Sequence, residues 1–142
     1  MDLQAATVGT DDDYDRYSPL DFSSAGAVSA TLYPAGRLGI PAGSEIRGMA
    51  FRGAVHTASA GSHTVKVWMK NSDAVEIGTS LPDADDMSLV LDSVIVLGSK
   101  AGSINQWTEI LRLPFSSPFR YDGGGLMVLI GLDNETTQQV YF

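Results

Sequence analysis

In the segment HTVKVWMK, Val65, Val67 and Met69 fall on alternate residues, and Thr64, Lys66, Trp68 and Lys70 occupy the positions between them. A period of two marks a half-buried β-strand, because successive side chains leave the backbone on opposite faces. EIRGMAFRG repeats the pattern, with Met49 and Phe51 pointing together. LMVLIGL is apolar on both faces and reads as a central strand covered from both sides. No window of helical length carries a sustained apolar stripe at i, i+3, i+4 and i+7.

Similar runs, separated by Gly, Pro, Ser and Asp clusters, place strands near Ala6–Gly9, Ala27–Tyr33, Glu45–Gly53, His63–Lys70, Met87–Leu97, Gln106–Leu113 and Leu126–Asp133. A last strand begins at Gln139, and short helical turns fit near Leu38 or Ala84. Seven or eight short strands, some buried on one face and some on both, predict an all-β fold. Its form is a two-sheet antiparallel β-sandwich, jelly-roll-like. The expected core is Met49, Phe51, Val65, Val67, Leu89, Leu91, Ile110, Leu126, Val128 and Ile130, and Trp107 joins it by sharing a face with Leu111 and Leu113.

The 142 residues suit one domain, and neither a repeat nor a boundary divides them. Val140, Tyr141 and Phe142 read as the start of a strand, which suggests a module of a longer exported chain.

Seventeen acidic side chains against nine basic ones give a net charge of -8. That field repels phosphate backbones and anionic membrane surfaces, so nucleic acid is not an expected partner. The longest apolar stretch, Leu126 to Leu132, is too short to span a bilayer.

Chemistry-bearing motifs are few. There is no cysteine, no G-x-S-x-G elbow and no H-E-x-x-H pair. His56 and His63 flank a Ser/Ala/Gly-rich turn and are read as exposed loop residues. Most acids lie in turns, with Asp92 and Glu109 inside strands, and solvated charge accounts for them better than a glycosidase pair does. No catalytic residue is assigned and no cofactor is expected.

Asp11, Asp13 and Asp15 repeat the D-x-D-x-D spacing of a calcium loop and are the candidate metal ligands. Arg16 stands where an EF-hand has glycine, and Phe22 where it has the bidentate Glu. Gly123, Gly124 and Gly125 precede a strand, which reads as a tight turn. Asn134-Glu135-Thr136 matches the glycosylation sequon.

Trp68 is the candidate ligand-binding residue, with Lys66 and Lys70 beside it. Alternation sets all three opposite Val65, Val67 and Met69, where a partly exposed indole offers a flat apolar platform for a sugar ring or a protein partner. The competing reading has the ring capping the outer sheet, with the lysine stems packed alongside.

Several phrases also occur in a familiar order: TVGT, YSPLDF, SATLYPAGRLG, EIRGMAFRG, HTVKVWMKN, SLVLDSVIVL and PFSSPFRYDGGGLMVLIGLDN. Together they resemble a β-sandwich domain of secreted and surface-exposed Bacteroidetes proteins, similar to the adhesin-type modules attached to exported proteases. The resemblance runs from about Thr7 to Asn134, and Pro118-Phe119-Arg120-Tyr121-Asp122-Gly123 is its most specific piece. Trp68 stands where that pattern has a tyrosine, and the first loop is Asp-rich rather than Ser/Thr/Gly-rich.

The resemblance implies a non-catalytic extracellular or cell-surface module with a structural or adhesive role. Its partners would be a surface protein or a glycan, together with other domains of the same parent chain. A glycan-binding accessory module is the alternative, and a glycoside hydrolase a remote one.

Lacking the glycine and the bidentate acid, the Asp11–Asp15 loop should bind calcium weakly or not at all. A titration showing micromolar affinity that Asp13→Asn abolishes would overturn this expectation.

Overall fold

The computed structural model describes residues 20–142, apart from 75, 79, 101 and 103–107. The expected strand at Ala6–Gly9 and the expected core residue Trp107 lie outside the described residues. Seven strands are described: β1 (Gly26–Tyr33), β2 (Glu45–Val55), β3 (Gly61–Ser72), β4 (Ser88–Leu97), β5 (Thr108–Arg120), β6 (Gly125–Asn134) and β7 (Val140–Tyr141). A short 3-10 turn spans Ala84–Asp86, capped by the Asp83 carboxylate accepting from the Asp85 N–H. The segment around Leu38 holds a hydrogen-bonded turn between Pro34 and Arg37 instead of a helix.

The strands form two antiparallel sheets, one ordered β1-β6-β3-β4 and the other β5-β2-β7. The chain is all-β and builds a two-layer sandwich, as the alternation requires. Its doubly apolar segment, β6, lies centrally between β1 and β3 and is buried along nearly its whole length. A strand paired along both edges and buried on both sides needs apolar residues at nearly every position, and LMVLIGL supplies them.

Core burial follows the strand period. Val65, Val67, Met69, Leu91, Leu126, Val128 and Ile130 are all buried. Met49, Phe51 and Ile110 are partly buried and pack against that cluster. Leu89 was expected inside and is instead 46% exposed. The cause is a bulge: Val67 pairs with Leu91 and Trp68 with Leu89, so Val90 is the extra residue. One inserted residue exchanges the two faces, turning Val90 and Leu91 inward and Leu89 out with Trp68.

A second correction concerns PFSSPF, which follows the end expected for the strand near Gln106–Leu113. It belongs to β5, which runs to Arg120. Pro114 and Pro118 lack the N–H that a central strand must donate, so they suit this edge strand, and the register jumps between Gly48↔Pro114 and Ile46↔Phe119.

The turn at Tyr121–Gly124 carries the chain from β5 of one sheet to β6 of the other. Tyr121 is buried, and its hydroxyl donates to the Gly124 carbonyl at 2.5 Å. The Asp122 carboxylate accepts from the Gly124 N–H at 2.9 Å. Gly123 has φ of 93°, and a Cβ there would stand 2.8 Å from the Ala42 Cβ. Gly124 has no such φ, and a Cβ there would meet the Asp122 carboxylate at 3.2 Å. Gly123→Ala should therefore cost about 1–3 kcal/mol of stability, and Gly124→Ala much less. Urea unfolding of the two variants checks this; equal losses would show that the positive φ does not set the requirement.

Candidate functional site

Trp68, Lys66 and Lys70 stand on the outer face of the four-stranded sheet, opposite the core-facing Val65, Val67 and Met69. The indole is half-buried. Its Cζ3 and Cη2 lie where a Cβ on Gly131 would be in van der Waals contact, at 3.5 and 3.8 Å, so the missing side chain of Gly131 lets the ring lie across β6. Lys66 pairs across strands with Asp92, Nζ to Oδ2 at 3.8 Å, both side chains about half exposed. The three residues therefore share one face, with the tryptophan resting on its own sheet.

The same face carries residues that sequence reasoning did not single out. On β4, Val94 is 66% and Val96 70% exposed, with Asp92 and Leu89 on the same side. Across the sheet, Val28 of β1 is also exposed. β4 pairs with β3 alone in its sheet, so these valines sit on an edge strand. Alternation within DSVIVL was a usable signal: Ile95 and Leu97 turn inward, which obliges Val94 and Val96 to turn out.

His63 overturns the expectation of an exposed loop histidine. It is fully buried, on the same face of β3 as Val65 and Val67. Its Nδ1 lies 2.7 Å from Oδ1 of Asn134 and its Nε2 2.6 Å from Oε1 of Gln138. The Phe22 ring meets it edge-on, with centroids 4.7 Å apart. His56 is exposed as expected and lies against Tyr141. Asn134 is itself buried, its Nδ2 donating to the carbonyls of Asp21 and Ser24. The sequon asparagine is thus enclosed by the fold and closed to a glycan in the folded chain.

The acids placed inside strands are ion-paired. Asp92 faces Lys66, and Glu109 accepts two hydrogen bonds from Arg112, each 2.8 Å. Those hydrogen bonds hold the Glu109 carboxyl below its ordinary range, the direction opposite to what a proton-donating glycosidase acid needs. A hollow of about 710 Å³ at the end of β1 is lined by one continuous stretch, Thr31 to Arg37, which contains no carboxylate. Burial pushes the Tyr33 phenol there above its ordinary value.

Among the described residues, no three His, Asp or Glu side chains gather into a metal cluster. Asp11, Asp13 and Asp15 lie outside the described residues. No described helix is long and apolar enough to cross a membrane. No known family model, characterised protein or solved structure matches the chain.

The buried and exposed polar residues should separate sharply in their effect on stability. Asn134→Ala strands two backbone carbonyls and one ring nitrogen and should cost at least about 2 kcal/mol. Lys66→Ala breaks a half-exposed pair and should stay within about 1 kcal/mol. Chemical unfolding of both variants is the check.

Proposed function

We infer that the chain is a non-catalytic module of an exported bacterial surface protein, acting by protein–protein adhesion through the outer face of its four-stranded sheet. The observation that carries this reading is the apolar edge of β4, where Val94 and Val96 stand mostly exposed. Soluble proteins normally blunt an edge strand with charges, prolines or a covering loop, because its free N–H and C=O groups invite another chain. β5 follows that rule with Pro114 and Pro118. β4 carries one charge, Asp92, which is paired with Lys66, and two outward valines beyond it.

A β-branched edge suits a partner that adds a strand, with main-chain hydrogen bonds supplying affinity and side chains such as Val94 supplying specificity. Trp68 and Leu89 extend the same face with aromatic and aliphatic surface. The order of chain phrases, which resembles that of adhesin-type modules, motivates the extracellular, cell-surface location.

Binding should be measured against purified surface proteins and a glycan panel, using Val94→Lys, Val96→Lys and Trp68→Ala. The adhesive reading expects protein binding to weaken about tenfold or more in the valine variants, roughly 1.4 kcal/mol, with the fold retained. Glycan binding abolished by Trp68→Ala alone would move the assignment to a sugar-binding module. Protein binding unaffected by either valine change would remove β4 from the site.

A further inference from the structure

Both amides beside His63 are oriented by their own surroundings. Asn134 Nδ2 donates to the Asp21 carbonyl at 3.2 Å and the Ser24 carbonyl at 2.8 Å. Gln138 Nε2 donates to the Ser59 carbonyl at 3.0 Å, with the Leu97 and Gly98 carbonyls at 3.4 and 3.5 Å. Turning either amide over would press its oxygen against those carbonyls. Each amide therefore shows its oxygen to the ring, and an amide oxygen only accepts.

A neutral imidazole has one N–H, so one of its nitrogens would meet an oxygen lone pair to lone pair. An imidazolium donates from both nitrogens and satisfies both oxygens. The distances, 2.7 and 2.6 Å, have the shortness of charge-assisted bonds.

We propose that His63 is a buried imidazolium clasp built into the fold, donating from both ring nitrogens and so securing the attachment of β7 and of the end of β4. The ring nitrogens join β3 to Asn134, the last residue of β6, and to Gln138, two residues before β7. Through Asn134 they reach the segment Leu20–Ser24, and through Gln138 the carbonyl ends of β4 and of the turn before β3. The ring thus ties together six parts of the chain.

The groups around the ring suit a cation without replacing it. Ile95 of β4 lies opposite on the strand ladder and Phe22 meets the ring edge-on. Asp21 accepts from the Ser23 N–H and from the Ser23 and Ser24 hydroxyls. Asp133 pairs with Thr64 on the outer face, and Glu135 is exposed. Among the described residues the ring nitrogens are held by amide oxygens, inside a chain whose net charge of -8 favours a positive centre. This inference does not depend on what β4 binds.

The test uses the whole chain and its His56→Gln variant, which leaves His63 as the sole histidine. Nitrogen NMR of the ring at about pH 7, near where a free histidine titrates, should show both nitrogens protonated. A ring with one bare nitrogen would overturn the proposal. The urea midpoint of the chain should also drop on His63→Gln, which cannot donate from two ring nitrogens. An unchanged midpoint would also overturn the proposal. If His63→Gln fails to fold, the ring spectrum of His56→Gln still decides.

Discussion

The sandwich depends on the polar contact of His63 with Asn134 and Gln138, because apolar packing alone cannot place the last part of the chain. β7 has two residues and makes a two-residue ladder with Ala54 and Val55 of β2. So short a strand cannot hold its own register. It is held from the side that precedes it: Gln138 is tied to His63, the Gln139 N–H donates to Thr57 Oγ1, and the Gln139 carbonyl accepts from the His56 N–H. With that segment fixed, Val140 enters the core and Phe142 reaches the rings of Phe22 and Phe51. The apolar closure of this end follows from the polar one.

The same contact explains why Leu20 and Phe22, which belong to no strand, are buried. The Asp21 and Ser24 carbonyls are claimed by Asn134, and the Gln138 N–H donates to the Phe22 carbonyl. The backbone of this segment is thereby satisfied without a ladder, which a buried irregular segment requires. Its two large side chains then fill the space between the sheets.

What the sequence made legible was the period of the strands. Each described strand falls near an alternating or doubly apolar run, and Val65, Val67 and Met69 turned inward as spacing alone demanded. His63 obeys that period too, two residues before Val65. Its polarity and the Ser/Gly-rich residues preceding it argued for a loop, and only the tertiary partners Asn134 and Gln138, 71 and 75 residues away, make its burial affordable. Leu89 was misplaced for a different reason. A bulge shifts the period by one, and nothing in SLVLDSVIVL announces where the extra residue falls. On the outer face, Trp68 could be assigned by alternation, but its resting place depends on Gly131 of another strand. Local pattern fixes which way a side chain points, whereas cross-strand partners fix what it meets.

The two edges of the sandwich carry this reasoning one step further. β5 and β4 are both edges, and β5 interrupts its free side with two prolines and a register jump. β4 interrupts nothing past its bulge: from Leu91 to Leu97 it pairs regularly with β3, with Val94 and Val96 outward. A regular ladder keeps the edge unbroken, and an unbroken, β-branched edge is the one most able to accept another strand. The end of that strand, at Leu97 and Gly98, is where the Gln138 amide gathers carbonyls beside the buried histidine. The buried polar contact of His63 therefore adjoins the end of the strand that carries the exposed Val94 and Val96. The strand addition proposed for β4 would use this arrangement, because a partner that adds a strand must find the ladder already in register.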